Sequence, residues 1–383
     1  MPDEPHVLSA LVVATQLSAP LPGGTGRYAA NVLRSLDATR PAGAGLTAYL
    51  CGGVVPGGGL ELPVGLDSSR SPMGFRVLAR LWERGLPPRA PRADLVHATT
   101  LMVPPTRAGS RLVVTVHDVV PWTHPETLTP RGVAFHRRMA ERVAGSADLI
   151  IAPTAVVARR LDELLQPACP VRVVPPAVAA VSVPADAPAR RRALGVPPRY
   201  LLVVGTAEPR KGLDVLVDAL AADPGLPTLV VVGPQGWGDV GVDDLARRRG
   251  VGKRVLVVGR VSDPDLAALY AGALTLVVPS RAEGFGLPVI EAMSVGVPVV
   301  TSDDPALVEV GGGVATIAPV GDAEALAAAV ARVIDMVNMV NAAHVGSGAD
   351  RGVGMAERRR AEAFAPALVG ARLWAEYAAV VVS

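Results

Sequence analysis

Short apolar runs separated by longer amphipathic stretches organise the first half of the chain. Val7–Thr15 reads as an apolar strand, and LPGGTGRYAANVLRSL after it as a glycine loop opening a helix. Leu46–Cys51 predicts a second strand, and Gly52–Ser71, rich in Gly, Pro and Ser, predicts loop. Leu95–Ala98, Leu112–His117, Leu149–Ala152 and Val171–Val174 predict further short strands with helices between them. Strands that alternate with helices in this way predict a parallel sheet covered on both faces.

Pro175–Pro188 carries four prolines and no period, and reads as a linker. The alternation then restarts. Tyr200–Gly205, Thr228–Gly233, Val255–Val258, Leu274–Val278 and Val297–Thr301 predict strands; Leu213–Ala222, Pro264–Ala271 and Pro288–Ser294 predict helices. Asp322–Val337 reads as a long Ala-rich helix, and Asn338–Gly354 as a loop. Glu357–Val382 is helical again, with Leu368, Leu373, Trp374 and Tyr377 near helical spacing. The expected fold class is α/β: two doubly wound, Rossmann-like domains, residues 1–182 and 183–366. Two such sheets leave a cleft at the carboxyl ends of their strands, where ligands bind in these folds.

Length agrees with two domains, since 383 residues exceed one small core. No uninterrupted apolar run reaches about 18 residues, so no transmembrane helix is expected. The start, MPDEPHVLSA, lacks the basic segment of a signal peptide. Cys51 and Cys169 are far apart and give no metal spacing, which fits a reducing cytoplasm. The small net charge of +2 conceals an asymmetry: 18 Arg face 13 acidic residues up to Ser182, and 19 cations face 22 after it. Only Lys211 and Lys253 are lysines, which draws attention to Lys211 in a chain otherwise biased to Arg.

The most informative stretch is Pro279–Pro298, PSRAEGFGLPVIEAMSVGVP. It follows a buried-strand pattern and places Glu283 in a glycine-rich turn, with Pro288 at a position that tolerates proline in a first helical turn. A helix beginning at Gly286 or Leu287 presents free N–H groups to phosphate or sugar oxygens. Glu291 then falls about one turn inside that helix. The string resembles the retaining glycosyltransferases of family 4, whose E-x7-E motif reads like EGFGLPVIE, and AMSVGVPVVTSD continues the likeness. The resemblance implies the two-domain GT-B architecture, with a C-terminal helix of about residues 367–383 crossing back onto an acceptor-side first domain. The second domain would bind the donor. Glu283 would lie near the donor sugar hydroxyls and Glu291 at the nucleotide ribose. Phe285, Gly286 and Leu287 would offer backbone N–H groups, and Arg260 with Val261, after Gly259, would stand where the family holds the base.

Other motifs extend this reading. In Gly205-Thr-Ala-Glu-Pro-Arg-Lys-Gly212, Arg210 and Lys211 follow a strand and precede a helix. A planar fork and a point charge there can clamp a diphosphate leaving group. Read alone, they fit two solvated surface cations equally well; the string resembles the family's Arg-Lys-Gly motif. Gly23-Gly24-Thr25-Gly26-Arg27 is neither a dinucleotide fingerprint nor a P-loop. It fits a packing turn, or the family's first glycine loop, which implies Gly24 by the donor phosphate and Gly26 and Arg27 on the acceptor side. His117 and Asp118 end a core strand; His117 resembles the family histidine that contacts the donor sugar, with a structural histidine as the other reading, and Asp118 is expected on the acceptor side. His97 occupies a similar place, and His124 is expected on the acceptor side, whereas His6, His136 and His344 read as structural or surface groups. Met73–Gly85 repeats Arg76, Arg80 and Arg84 every fourth residue beside an apolar side. It fits an anionic membrane surface, and it fits better a packed helix with a solvated arginine face.

The expectation is therefore a retaining hexosyltransferase using a GDP-, UDP- or dTDP-linked sugar, mannose first. The acceptor would be a glycan, a lipid or a small molecule. His117, Arg210, Lys211 and Glu283 would act at the reacting sugar. No metal, other cofactor or nucleic-acid partner is expected, and peripheral association with the inner membrane face stays open, as does oligomeric state. A nucleotide-sugar epimerase and a non-catalytic nucleotide-sugar-binding subunit are the competing readings.

Overall fold

The computed structural model describes residues 8–19, 23–52, 62–236, 241–343 and 354–382. The chain divides into two compact units, Met1–Ala177 with Phe364–Ser383, and Val178–Ala363. Unit 1 is built on β1 (Ser9–Val13), β2 (Gly45–Leu50), β3 (Asp67–Arg70), β4 (Leu95–Ala98), β5 (Arg111–Thr115), β6 (Leu149–Ala152) and β7 (Val171–Val173). Their order across the sheet is β3-β2-β1-β4-β5-β6-β7, with every pair parallel. Side chains alternate along β1. Ala10 and Val12 join a core with Leu33 and Leu36 of helix Gly23–Ala38, while Leu11 and Val13 join another with Leu78, Trp82 and Met139. Both faces of the sheet are thus covered, as a parallel sheet requires.

Helix Pro366–Val382 completes the first of these cores with Leu373, Trp374 and Tyr377. The Trp374 indole donates to Leu36 O at 2.9 Å. Gly370 allows the approach: a Cβ there would stand 2.3 Å from Ser35 O, so any larger residue would push the two helices apart. Beneath this helix runs a buried polar chain. The Tyr377 hydroxyl meets His97 Nδ1 at 2.6 Å, His97 Nε2 meets Thr115 Oγ1 at 2.8 Å, and the Tyr28 hydroxyl meets the same Oγ1 at 2.9 Å. His97 is thereby a satisfied core histidine.

Unit 2 is built on β8 (Tyr200–Val204), β9 (Thr228–Val232), β10 (Val255–Gly259), β11 (Thr275–Val278), β12 (Val299–Ser302) and β13 (Thr316–Ala318), in the parallel order β10-β9-β8-β11-β12-β13. Leu201 and Val203 of β8 pack with Leu216 and Leu220 of helix Leu213–Ala222 and with Val330 of helix Ala323–Ala343.

Several sequence expectations change here. β3 lies inside the expected loop Gly52–Ser71; its DSSR sequence is a largely exposed edge strand with no apolar period to announce it. Helix Ala323–Ala343 runs through the first residues of the expected loop Asn338–Gly354, and Arg199 donates to Asn338 Oδ1 at 3.2 Å. The remainder, 344–353, lies outside the described residues, as do His6 and His344. The C-terminal helical stretch is two helices, Met355–Glu362 and Pro366–Val382, with proline opening the second where its missing N–H costs no bond. Leu368 is exposed, not packed. By length and composition Met355–Val382 is apolar enough to cross a membrane, yet Leu373, Trp374 and Tyr377 are buried in unit 1. In helix Phe75–Trp82, Leu78 and Trp82 are likewise fully buried, so much of its apolar side is spent on the core.

Burial pushes the His97 imidazole down to about 3, and nearby His117 adds to the shift. The unfolded chain binds that proton near pH 6.5, so the contribution is intact above 6.5 and declines as pH falls towards 3. Urea unfolding of wild type and His97→Gln checks this. The variant is less stable at pH 7.5, and the gap narrows by about 1.4 kcal/mol at pH 5.5. A gap independent of pH would show that His97 does not titrate in this way.

Candidate functional site

In unit 2 the chain leaves β8 and β11 towards opposite edges of the sheet, so their carboxyl ends flank the switch point of a doubly wound fold. The loop after β8 turns through Pro209–Lys211 and passes Gly212 at φ +65°. A Cβ on Gly212 would stand 2.0 Å from Pro279 O, so glycine is what lets this loop press against the one after β11. The two loops are then stitched together. Arg281 N donates to Arg210 O at 2.7 Å, and the Arg281 guanidinium forks onto Asp214 at 2.8 and 2.5 Å. Sequence reasoning missed this Arg281–Asp214 pair, whose partners lie 67 positions apart with no motif joining them.

The result is a charged cluster. Arg210 donates to Glu283 Oε2 at 3.0 Å, Lys211 Nζ to Glu283 Oε1 at 2.5 Å, and Ser280 Oγ to the same Oε1 at 2.8 Å. Arg210 also pairs with Glu208 at 2.8 Å, a partner not singled out from sequence. Burial alone would raise the Glu283 carboxyl, but Lys211 and Arg210 outweigh it and bring it down to about 2. Glu283 N reaches Asp304 Oδ2 at 3.4 Å, and Asp304 Oδ1 caps the next helix by accepting from Ala306 and Leu307 N–H. Burial raises the Asp304 carboxyl, and charged Glu283 adds to the rise. Gly205, Thr206, Lys211, Ser280, Glu283 and Pro288 line one small recess.

Beyond the cluster, Gly286 at φ +90° precedes helix Leu287–Ser294, which carries Pro288 in its first turn. Phe285 and Gly286 are buried, and Leu287 is half-buried. Glu291 is 6% exposed, and its Oε2 accepts from the Tyr270 hydroxyl at 2.7 Å. The two glutamates of EGFGLPVIE therefore have different partners: Glu283 sits with the cations, Glu291 with a phenol. Arg260 is exposed and Val261 half-buried just after β10, and among the described residues no hydrogen bond joins either to the Glu283 cluster.

Unit 1 holds a cavity of about 720 Å³. Its lining includes residues that follow β1 and β4, from which the chain leaves towards opposite edges of the sheet, and Gln16 Nε2 donates there to Thr100 Oγ1 at 2.6 Å. His117 and Asp118 line it together. His117 Nε2 donates to Thr99 O at 2.8 Å, and the Tyr28 ring meets the imidazole edge-on at 4.6 Å. Burial lowers the His117 pKa against the pull of Thr99 and Asp118. Asp118 Oδ1 accepts from Val120 N at 3.0 Å. Gly24 and Gly26 lie in the first turn of helix Gly23–Ala38 and not in a loop before it; Gly24 is exposed, Gly26 buried and Arg27 half-buried. Thr25 between them lines the cavity. The lining includes His136, read from sequence as structural or surface, and does not include His124, whose Nδ1 meets Thr123 Oγ1 at 3.0 Å on a short turn. Among the described residues no group of three or more His, Cys, Asp or Glu is placed to hold a metal ion.

Comparison with known proteins agrees with this fold. Residues 22–180 match the family model described as Glycosyltransferase Family 4, and residues 188–343 match that of the group 1 glycosyl transferases. The chain is 42% identical over 134 residues to the O-antigen chain mannosyltransferase B of Escherichia coli, covering 34% of this chain and 35% of that one. It is 41% identical over 178 residues to a D-inositol 3-phosphate glycosyltransferase of Actinosynnema mirum, covering 42% of each. These matches thus span well under half of either relative. Among solved structures, the sucrose-phosphate synthase of Thermosynechococcus elongatus superposes with a TM-score of 0.76 at 20% identity, over 98% of this chain and 99% of that one. Anabaena HepE in complex with UDP and glucose gives 0.67 at 18% identity, over 97% and 100%. With both family models matched in tandem on two doubly wound parallel sheets, the chain belongs to the family 4-like glycosyltransferases of GT-B fold.

Proposed function

We propose that the protein transfers a hexose from a nucleoside diphosphate sugar to a hydroxyl of a glycan, lipid or small-molecule acceptor, with retention at the anomeric carbon and without a metal. The observation that carries this is the convergence of Arg210 and Lys211 on one buried carboxylate at the switch point of unit 2. Transfer breaks the bond between the anomeric carbon and the diphosphate oxygen, and negative charge grows on that oxygen. Fixed cations aimed at it stabilise the transition state more than the ground state. Arg210 has five N–H donors, enough to keep Glu208 and Glu283 and still meet a phosphate oxygen. Glu283, held ionised, is an acceptor-only group suited to sugar hydroxyls. Glu291 is assigned to the ribose, Phe285, Gly286 and Leu287 to donor oxygens through their N–H groups, and Arg260 with Val261 to the base. His117, with Nε2–H committed to Thr99, keeps Nδ1 as an acceptor for a sugar hydroxyl. The Escherichia coli relative supports mannose, hence GDP-mannose as first donor, and the HepE complex supports a UDP-sugar as the alternative. Free Cys51 and Cys169 support the cytoplasm, and with it the inner membrane face, as the setting.

The test is incubation with GDP-, UDP- and dTDP-sugars, with and without acceptors. A glycoside that forms only with acceptor and keeps the donor's anomeric configuration upholds the reading. An epimerised donor, an inverted product, or binding without turnover would each overturn part of it.

Replacing Arg210 or Lys211 by Ala should lower turnover about ten- to a thousandfold at saturating donor, the range for one lost charge-stabilising donor. Initial rates equal to wild type in both variants would remove the cations from the chemistry. Activity should also persist in EDTA; its loss on chelation and return with Mg2+ or Mn2+ would restore a metal to the mechanism. The glutamates should separate kinetically. Glu291→Gln should mainly raise KM, since the ribose does not react and its bonds persist through the transition state. Glu283→Gln should mainly lower kcat. Steady-state kinetics of both variants decide it, and an unchanged KM in Glu291→Gln withdraws the ribose assignment.

A further inference from the structure

We propose that the cavity of unit 1 takes an acceptor bearing a phosphate monoester, held by Arg76, Arg80 and Arg131. The proposal rests on the transferase reading above and names the chemical class of its acceptor. Arg76 and Arg80 lie one helical turn apart, about 6 Å along the axis of helix Phe75–Trp82, and both line the cavity. Arg131 lines it from the first turn of helix Pro130–Ala144. All three are exposed, and among the described residues none of their guanidinium groups is held in an ion pair.

Two carboxylates, Glu83 and Asp118, share this lining with the three arginines, and one of them is paired. Glu83 pairs with Arg138 at 2.7 Å, and Asp118 Oδ1 accepts from Val120 N at the β5 end. With Glu83 paired to Arg138, the three arginines outweigh Asp118 in this lining and raise the local concentration of an anion. Guanidinium forks match phosphate oxygens in pairs, and a dianionic ester answers more than one of them at once. The less exposed part of the lining, Gln16, Thr100 and His117, supplies neutral donors and acceptors suited to hydroxyls. The ligand that answers both sets of groups is a sugar or polyol phosphate, free or as a lipid headgroup. This also gives the basic face of Met73–Gly85 a different use: Arg76 and Arg80 serve one bound group, not a membrane plane.

The test uses the full chain, with neutral and phosphorylated probes in pairs: glucose with glucose 6-phosphate, and glycerol with glycerol 3-phosphate. Vesicles of phosphatidylcholine with and without phosphatidic acid form a second arm. Calorimetric titration should show the phosphorylated member binding about tenfold or more tightly than its neutral partner, less so at high salt. The R76Q/R80Q/R131Q triple variant should lose that preference and keep both its melting temperature and its affinity for GDP or UDP. Arginine-dependent binding to soluble esters assigns the phosphate to a small molecule, and binding only to phosphatidic acid vesicles assigns it to a lipid; either upholds the proposal. Equal binding of both members of each pair, no binding of any probe, or an unchanged preference in the triple variant would overturn it. Nucleoside diphosphate binding separates the two readings. If wild type binds none of GDP, UDP and dTDP, the transferase reading fails, whatever the phosphate probes do.

Discussion

The site in unit 2 depends on one buried carboxylate shared by two cations. Glu283 is 7% exposed at its side chain, where an isolated charge would cost several kcal/mol. Lys211 and Arg210 offset that cost together, and removing both would strand the carboxylate; losses of about 3–5 kcal/mol are usual when a buried charge is left uncompensated. Everything nearby is arranged so that the meeting can occur. Gly212 lets the β8 loop close on Pro279, Arg281 bolts the two loops through Asp214, and Ser280 supplies a neutral donor to the same oxygen as Lys211. The carboxylate acts as an electrostatic pin, setting where the cations stand before any substrate arrives. Such preorganisation is what makes fixed charges useful in catalysis.

Much of this was legible in the residues, because the informative features were local. The strand, glycine turn and proline of VVPSRAEGFGLP located a helix start that the structure places at Leu287. The Arg-Lys-Gly string located the opposing loop. What could not be read was which charges would meet. Glu283 was expected against a sugar, and the structure gives it Arg210 and Lys211, 73 and 72 positions away. Tyr270 was an ordinary helix residue until it met Glu291, and His97 needed Tyr377, 280 positions later, before its role was evident. Periodicity reports which side of an element is buried but not which distant group lies there.

The elements missed follow the same logic. β3 is polar and exposed because it closes an edge, so no apolar alternation marks it. Helix Phe75–Trp82 illustrates the converse. Its arginine repeat was visible, but its target was not, since a solvated face, a membrane face and a cavity wall share one sequence pattern.

The course of the chain has a further consequence. Unit 2 is a continuous segment, Val178–Ala363, whereas unit 1 is assembled from Met1–Ala177 and Phe364–Ser383. During synthesis the first unit therefore emerges with its core open, and the second can be complete before the segment that closes the first has left the ribosome. Until then the sites of Leu373 and Trp374 lie uncovered, and His97 waits beside Thr115 without its phenol. The residues that complete this core are therefore made nearly two hundred positions after Ala177. A premature stop shortly before Trp374 would spare every residue of the Glu283 cluster and still leave unit 1 unfinished.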